Sequence, residues 1–296
     1  KAKIGVVTMD SWGDGRNQTF WIKEPGGEFK EITSSKECQI GRIYKFVTLI
    51  LSMKPDEHEF KVMGMAPYAK KEYSNEIFEK VFKNLLKVKN CKVVHKIKTK
   101  NIYEYLKKNL ENYRFDNIAA AVQIFLEKTL IELFTQINKK FRINHFCFSG
   151  GVAMNVKANK VLSDLNFVKS LYVPPSGGDE SLCIGGCYMI EKKKIPISSI
   201  YLGRSISNLK LNELKNVFKK QKFRIRHNID HKEIARLLYN GEIIATARGR
   251  EEFGARALGN RSILASPNNS DIIRKINEQI KNRDFWMPFA LTILKD

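Results

Sequence analysis

Apolar residues along the chain alternate between short unbroken runs and longer stretches with helical spacing. The short runs predict strands at residues 4–10, 19–22, 144–148, 167–173, 222–226 and 242–247. The helical spacing predicts helices at residues 41–51, 117–134, 181–190, 211–218 and 232–239, within a mostly helical region 73–140 that a lysine-rich segment interrupts at 87–100. The segment 117–134 has the broadest apolar face and is predicted to cover a sheet. Strands that alternate with helices in this way predict an α/β fold.

Two turns that contain glycine follow two of these predicted strands. The first, SGG at 149–151, comes after the strand at 144–148, and the second, SGGD at 176–179, comes after the strand at 167–173. A glycine turn between a strand and a helix lets backbone N–H groups approach an anionic or nucleotide ligand. The second turn also carries the Asp179 carboxylate. The two turns therefore predict one cleft with a phosphate-facing wall and an acidic wall.

A segment rich in arginine and glycine follows the predicted strand at 242–247. Its four arginines, which stand among three glycines, are Arg248, Arg250, Arg256 and Arg261. Guanidinium groups bind phosphate oxygens in pairs, so this concentration of arginine predicts an anion site.

Several further residues have more than one interpretation. Asp10 ends the first predicted strand beside a turn, where a carboxylate is placed well for a metal or for a cation bound to phosphate, and Asp14 competes for that role. An alternative that is at least as well supported is that either aspartate closes the turn through an Asx-type hydrogen bond. Glu59 and Lys61 precede a turn of small residues and are either cleft residues or a surface ion pair.

Two other pairs have the spacing of metal ligands on a helix. His227 and His231 are separated by residues that predict a loop and a helix cap at Asp230, which disfavours a metal role. Cys183 and Cys187 lie in a helix of small residues, where buried free thiols are common, so packing in the interior is the favoured interpretation.

Composition narrows the class of protein. A length of 296 residues predicts two domains, and 43% hydrophobic residues are enough for a globular core. No apolar run approaches the roughly 20 residues of a membrane span. Five scattered cysteines favour a reducing compartment, so the predicted location is the cytoplasm. The net charge of +21 is spread along the chain and not concentrated in one segment, which makes a nucleic-acid partner the less favoured explanation.

Five motifs occur in order along nearly the whole chain. They are EFKVMGMAPY at 59–68, FSGGVAMN at 148–155, VPPSGGDES at 173–181, RGREEFGARALGNRSIL at 248–264 and RDFWMPFA at 283–290. Together they resemble the NodU/CmcH-type O-carbamoyltransferases. The first residues already predict a strand, and the last segment has no closing element, so the chain is expected to be truncated at both ends.

The resemblance implies two modules. Residues 1–200 are similar to a Kae1-type domain of the actin-like ATPase fold, whose halves are RNase H-like, and residues 201–296 are similar to the first part of a YrdC-like domain. The implied reaction uses ATP and carbamoyl phosphate to form carbamoyl adenylate in the second module. The first module then moves the carbamoyl group to a hydroxyl of a sugar or another small acceptor. A homodimer and the absence of a membrane partner are further expectations.

The resemblance also assigns roles to residues. The nucleotide and the carbamoyl adenylate are expected to contact Glu59, Lys61, Ser149, Gly150, Gly151, Asn155, Gly177 and Gly178. The phosphate groups of the donor and of ATP are expected to contact Arg248, Arg250, Arg256, Arg261 and Ser262. Asp10 and Asp179 match catalytic aspartates that bind a divalent metal, Fe²⁺ or Mg²⁺. The histidine pair that completes this metal site in the family should precede Asp10 and is absent from the chain.

Two departures from the family pattern leave the charged residues in place. Ala255 stands where the family usually has proline, and Ser11 stands where it usually has glycine. Two alternatives stay open. One is a tRNA threonylcarbamoyl-transfer protein, which the basic charge suits and the arginine-rich second module does not. The other is a catalytically incomplete protein that binds nucleotide without turnover.

Overall fold

A computed structural model of the chain describes residues 2–191, 195–206, 226, 229–268 and 270–293. It divides into two compact units, of which the first contains Lys1–Ile190 with Pro288–Asp296 and the second contains Glu191–Met287. The predicted helix at 211–218, nearly all of the predicted strand at 222–226, and His227 lie outside the described residues. Each unit is described by itself below.

The first unit contains most of the regular structure. Its strands are β1 (Ile4–Gly13), β2 (Arg16–Lys23), β3 (Phe29–Ser35), β4 (Leu86–Lys89), β5 (Lys92–His95), β6 (His145–Ser149) and β7 (Ser170–Tyr172). Its helices are α1 (Ile40–Ile50), α2 (Glu59–Met65), α3 (Lys71–Ile77), α4 (Ile102–Leu110), α5 (Phe115–Phe141), α6 (Val156–Ser163) and α7 (Leu182–Ile190). Short 3₁₀ or π turns occupy Ala66–Tyr68, Phe78–Phe82, Gly151–Met154 and Asp179–Ser181.

The main sheet has five strands in the order β3-β2-β1-β6-β7. The central strand β1 pairs antiparallel with β2 and parallel with β6, and β6 pairs parallel with β7. Val7 of β1 lies opposite Phe20 of β2 on one side and Phe148 of β6 on the other. All three side chains are fully buried, so the apolar run at the start of the chain forms the centre of the core. A mixed α/β class is thereby confirmed.

The long helix α5 covers this sheet, as its broad apolar face predicts. The Phe134 ring centroid lies 4.9 Å from that of Phe146 and 5.7 Å from that of Phe148. The helix extends further at both ends than the predicted segment and stops at Arg142, which adopts a left-handed conformation with φ of 54°. This aromatic packing fixes the position of β6, and hence of the turn that follows it.

The lysine-rich segment that interrupts the helical region forms a β-hairpin, β4–β5, which sequence reasoning did not predict. Asn90 and Cys91 have φ angles of 53° and 60°, as a two-residue type I′ turn requires. The hairpin is attached to the sheet because Ser35 Oγ donates to the Val93 carbonyl at 2.6 Å and Gln18 Nε2 donates to the Cys91 carbonyl at 3.2 Å. Alternating lysines on its exposed face explain the lysine content.

The predicted packing of Cys183 and Cys187 is wrong. Both thiols are exposed, because no residue of α7 is buried in the described structure. The apolar residues of this helix also face outward, and Met189 is 87% exposed. None of the described helices combines the length and the apolar composition that a membrane span requires.

The second unit contains α8 (His231–Tyr239), β8 (Ile244–Ala247), β9 (Arg261–Leu264), α9 (Ser270–Lys275) and a π turn at Ile276–Ile280. The predicted N-cap at Asp230 is confirmed, since its Oδ1 accepts a hydrogen bond from the Glu233 N–H at 2.8 Å. Strands β8 and β9 pair antiparallel, with Ala247 opposite Arg261. The arginine-rich segment is thus the connection between two paired strands, which brings its ends together.

Candidate functional site

The two glycine turns of the first unit lie against each other. The Gly150 N–H donates to the Gly177 carbonyl at 2.8 Å, and the Ser149 hydroxyl donates to the same carbonyl at 3.4 Å. The turns meet because the strands that precede them, β6 and β7, are parallel neighbours, so their carboxyl ends lie at one edge of the sheet. Residues 149–151 and 176–178 are called the paired turns below.

Gly150 brings the paired turns into close contact with β1. Its φ is 97°, and a Cβ added there would lie 2.1 Å from the Met9 carbonyl oxygen. A Cβ on Gly177 would in turn lie 3.1 Å from the Gly150 carbonyl oxygen. Space and backbone conformation therefore both require glycine at position 150. A side chain at position 177 would make a tight contact that the Gly150 backbone would have to accommodate by a small shift.

Asp10 joins β1 to the first of the paired turns. Its Oδ2 accepts a hydrogen bond from the Gly151 N–H at 3.3 Å, and its Oδ1 accepts one from the Ser11 N–H at 2.6 Å. Asp10 thus bonds both to the next residue of its own strand and to the first of the paired turns. Asp14 instead lies in the turn between β1 and β2, where it adopts a φ of 49°.

The backbone donors of the paired turns are largely engaged with the protein itself. Gly150 and Gly151 donate as described above, whereas the Gly177 N–H donates only to the Met154 thioether sulfur at 3.1 Å. A thioether is a weak acceptor, so an anion would displace the sulfur from the Gly177 amide at lower cost than it would displace the oxygen acceptors of Gly150 and Gly151. The Gly178 N–H donates to no other described residue and is available without any displacement. In addition, no α-helix begins directly at the glycines of the first turn, because a 3₁₀ turn intervenes and α6 starts at Val156.

Asp179 and Glu180 differ in their surroundings. The Ser176 hydroxyl donates to Glu180 Oε2 at 2.6 Å, and this hydrogen bond is the main reason that the pKa of Glu180 lies below its usual range. Glu180 therefore holds the second turn together. Gly178 lies beside it, since a Cβ there would be 2.9 Å from Glu180 Oε2. The exposed Asp179 carboxylate has no hydrogen bond or ion pair with any other described residue and is available to a ligand.

Asn155 is the centre of a polar network that sequence reasoning missed. Its Oδ1 accepts from the Ala158 N–H at 2.9 Å, which caps α6, and its Nδ2 donates to Gln123 Oε1 at 2.8 Å. The buried Gln123 also accepts from the Tyr44 hydroxyl at 3.0 Å. Burial, followed by the charge of Glu127, raises the pKa of Tyr44, so this hydroxyl stays protonated and donates. The sequence feature that could have revealed this network is Gln123 itself, a polar residue in an otherwise apolar stretch of α5.

The other two predicted cleft residues lie on one short helix. Glu59 and Lys61 are both half-buried in α2. Their separation of two residues places them on different faces of that helix. Glu59 Oε1 accepts from the Asp56 N–H at 2.8 Å, and the negative charge of Glu59 contributes to the raised pKa of Tyr44. Glu59 thus lies near the Asn155 network.

In the second unit, residues 248–262 are called the arginine loop. Two of its arginines, Arg250 and Arg261, donate hydrogen bonds to backbone carbonyl groups of the same unit. Arg250 donates through Nε to the Gly203 carbonyl at 3.0 Å and through Nη2 to the Leu202 carbonyl at 2.8 Å. Arg261 donates through Nη1 to the Arg248 carbonyl at 2.8 Å. These two guanidinium groups determine the shape of the loop.

The guanidinium groups of Arg248 and Arg256 do not bond to the backbone of the described residues. The side chains of Arg248 and Arg256 are exposed and make no hydrogen bond or ion pair with the residues that the structure describes. Ser262 is engaged within the loop, because its Oγ accepts from the Gly259 N–H at 2.8 Å. The predicted anion-binding set is thus divided into two arginines that shape the loop and two that are available to a ligand.

Glu252 organises the arginine loop and was not recognised from the sequence. Its Oε1 accepts from the N–H groups of Leu258 at 2.7 Å, Asn260 at 2.8 Å and Arg261 at 3.2 Å. Desolvation acts to raise its pKa, but these backbone donors prevail and lower the pKa from 4.5 to about 2. The loop backbone therefore folds around an ionised carboxylate, in the manner of an anion-binding nest.

The described residues contain no group of three or more histidine, cysteine, aspartate or glutamate side chains that could hold a metal ion. Asp10 and Asp179 are candidate ligands, and one Asp10 oxygen is already in a short bond to Ser11. The residues described here thus do not by themselves form a metal centre, and no reaction step is derived through one.

Comparison with known proteins gives consistent matches in both units. Residues 1–188 match a family model described as Carbamoyltransferase N-terminus, and residues 235–296 match one described as Carbamoyltransferase C-terminus. An uncharacterized protein of Methanocaldococcus jannaschii is 32% identical over 304 residues, which cover 98% of this chain and 58% of that protein.

Two proteins with more informative names are also similar. Nodulation protein NolO of Bradyrhizobium diazoefficiens is 28% identical over 80% of this chain and 45% of its own length. Nodulation protein U of Sinorhizobium fredii is 28% identical over 61% of this chain and 32% of its own length. The chain spans about half the length of the curated relatives that it matches over nearly its whole sequence.

Proposed function

Because the chain belongs to the carbamoyltransferase family, we propose that the protein transfers a carbamoyl group from carbamoyl phosphate to a hydroxyl group. In this proposal carbamoyl phosphate is cleaved to carbamate and inorganic phosphate, a carbamate oxygen bonds to the α-phosphorus of ATP, and pyrophosphate leaves, which gives carbamoyl adenylate. The acceptor is a sugar or another small molecule. The second unit contributes to adenylate formation, and the first unit carries out the transfer. Residues 1–200 are proposed to be a Kae1-type module and residues 201–296 the first part of a YrdC-like module, and the protein is proposed to act in the cytoplasm.

The meeting of Asp10 with the paired turns is the observation that carries this proposal. It places one carboxylate at the carboxyl ends of parallel strands, where open α/β sheets bind their ligands. Asp179, whose carboxylate has no described partner, follows the second turn directly. In the transfer step the acceptor hydroxyl oxygen bonds to the carbamoyl carbon, the bond from that carbon to the adenylate phosphate oxygen breaks, and AMP leaves.

The arginine loop supports the first half of the reaction. Arg248 and Arg256 are proposed to bind phosphate groups of ATP and carbamoyl phosphate, because exposed guanidinium groups without protein partners are free to do so. Arg250 and Arg261 are proposed to maintain the loop conformation in which these two side chains are presented. Charge that develops on the leaving phosphate groups would be stabilised by fixed donors of this kind.

The test measures adenylate formation and carbamoyl transfer separately. The protein is incubated with ATP and carbamoyl phosphate, and pyrophosphate release reports adenylate formation. A panel of sugars is then added, and carbamoylated products are identified by mass spectrometry. The proposal predicts both products. The absence of adenylate and of carbamoylated product would refute it, and tight, salt-sensitive tRNA binding would support a tRNA-directed protein instead.

The Asp179→Ala variant tests the division of labour. Transfer is expected to fall below detection while adenylate formation is retained, because Asp179 is assigned only to the second step. Glu28→Ala, which removes another exposed carboxylate in the same unit, is the matched control and should leave both steps unchanged. Equal loss of both steps in a folded Asp179→Ala protein would show that the assignment is wrong.

A further inference from the structure

A cavity of about 540 Å³ lies beside the start of α1 in the first unit. Its walls come from the first turns of α1, the segment that follows β5 and the start of α4, and they include Glu37, Gln39, Arg42, Phe46, Lys98 and Lys100. Small-molecule sites in proteins typically enclose about 300–1,000 Å³. The cavity is thus large enough for a sugar or for a sugar with an attached charged group.

The charges that face the cavity are mostly positive. Arg42, Lys98 and Lys100 form no ion pair with any described carboxylate, whereas the Glu37 carboxylate accepts a hydrogen bond from the His95 N–H at 3.1 Å. Because lysine is common over the whole chain, positive charge alone does not identify a site. Here, however, the three cations line one concave volume that is open to solvent on one side. An anion bound in it would be partly removed from water, which strengthens its attraction to the cations.

The first turn of α1 connects the cavity to the end of β1. Gly41 lies between the lining residues Gln39 and Arg42, and a Cβ there would be 2.9 Å from the Ser11 backbone nitrogen. The Arg42 guanidinium carbon lies 5.9 Å from the centre of the Trp12 ring, and Trp12 is two residues beyond Asp10 on β1. One turn of α1 therefore forms a wall of the cavity and also packs against the end of the strand that carries the Asp10 carboxylate.

The cavity also has a surface suited to a sugar ring. The Phe46 ring lines it and lies 5.6 Å from the Tyr103 ring in an edge-to-face arrangement that restricts its movement. A fixed aromatic face can pack against the apolar C–H groups of a sugar while Gln39 and Thr99 supply polar contacts. Cations, an aromatic face and polar groups thus line one volume, and one wall of it contacts the end of β1 beyond Asp10.

We infer that this cavity binds the hydroxyl acceptor and that the acceptor is an anionic sugar, in which a phosphate or carboxylate group contacts Arg42, Lys98 and Lys100. The inference rests on the proposed carbamoyl transfer and adds the chemical class of the acceptor to it. The negative group anchors the sugar in the cavity, and a hydroxyl at the other end of the ring points towards the end of β1 that carries Asp10.

Binding is measured by isothermal titration calorimetry without ATP or carbamoyl phosphate, so that the result does not depend on turnover. The probes are glucose 1-phosphate, glucuronate and the neutral sugar glucose. At least one anionic probe is expected to bind at least about tenfold more tightly than glucose and to bind more weakly as salt is raised. The two anionic probes distinguish a phosphate from a carboxylate as the recognised group.

Variants locate the binding. Arg42→Gln and the double variant Lys98→Ala/Lys100→Ala are each expected to weaken binding of the anionic probe at least about tenfold. Arg42→Lys, which keeps the positive charge, should bind the anionic probe more tightly than Arg42→Gln and more weakly than the unchanged protein. The control is Lys87→Ala/Lys89→Ala, which removes two exposed lysines of β4 that lie outside the cavity. This variant should bind the anionic probe with the same affinity as the unchanged protein.

The outcomes separate this inference from the proposed function. If neither anionic probe binds more tightly than glucose, or if the cavity variants bind as the unchanged protein does, the inference is overturned even when carbamoyl transfer to another acceptor is observed. If the anionic probe binds in the cavity but is not carbamoylated by a protein that forms adenylate, the assignment of the cavity to the acceptor is overturned. If binding depends on the cavity and no adenylate forms, the proposed function fails while the binding site stands.

Discussion

The paired turns of the first unit and the arginine loop of the second unit are both suited to negative ligands, but they are built in different ways. In the paired turns, glycine backbone is packed against glycine backbone and against Met9, so geometry is determined by the absence of side chains. In the arginine loop, geometry is determined by side chains that hold the backbone, namely Glu252, Arg250 and Arg261.

The difference predicts how each region tolerates substitution. A region shaped by close backbone approach loses its native structure when an added side chain would collide with a neighbouring backbone atom. A region shaped by side-chain hydrogen bonds loses stability in steps, and residues that maintain the loop can be separated from residues that bind the ligand. Similar residue types in one motif, such as the four arginines, therefore need not share a role.

The largest effect is expected for Gly150→Ala. The added Cβ would collide with the Met9 carbonyl and require a left-handed backbone, so the free energy of unfolding should fall by about 3 kcal/mol or more, and transfer should be lost. Chemical denaturation and the transfer assay measure the two effects. Gly13→Ala on β1, the strand that carries Met9, is the control, because a Cβ there would meet no atom within 4 Å. A stable, active Gly150→Ala protein would contradict the steric argument.

The second-largest effect is expected for substitutions in the arginine loop, where an arginine that is available to a ligand and an arginine that supports the loop backbone should behave differently. Arg248→Ala should raise KM for carbamoyl phosphate or ATP by about tenfold to a hundredfold, through loss of a charged contact, and leave the thermal midpoint unchanged. Arg250→Ala should instead lower the thermal midpoint, because two backbone carbonyls lose their donor. Steady-state kinetics and thermal unfolding on both variants test this. Identical behaviour of the two variants would remove the proposed distinction.

A smaller effect is expected for Asn155→Ala. Loss of the α6 cap should reduce stability by about 1 kcal/mol, and loss of the contact to the bound adenylate should slow the transfer step. Asp230→Ala removes the equivalent cap from α8 and is the matched control for stability. If the two variants transfer the carbamoyl group at the same rate, Asn155 acts only as a helix cap.

The smallest effect at neutral pH concerns Glu252. Because its folded-state pKa is lowered from 4.5 to about 2, its contribution to stability is present above pH 4.5 and is lost as pH falls towards 2. Hydrogen exchange at the Leu258 and Asn260 amides should accelerate over that range, more than intrinsic exchange explains. Glu252→Gln should remove this pH dependence, and its persistence would assign it to another group.

The sequence was sufficient to predict the core strands and the longest helix, because their apolar patterns are local. Residues 4–10 and 144–148 were predicted as strands, and the structure has them in β1 and β6. The β4–β5 hairpin was missed because its lysines alternate on an exposed face and mask the buried valines. Glu252 and Gln123 were missed because their roles depend on hydrogen bonds to residues that no periodic pattern connects.

The pairing of β1 with β6 has a consequence for how the protein is made. Asp10 and Gly151 are separated by 141 positions in the chain, so the candidate site cannot form until the ribosome has passed β6. At roughly 5–20 residues per second this delay is on the order of ten seconds. During that interval the antiparallel strands β1, β2 and β3 can pair, but one edge of β1 stays without its parallel neighbour. Such an open strand edge can pair with other chains, so co-translational protection of the first strand is expected to matter for the yield of folded protein.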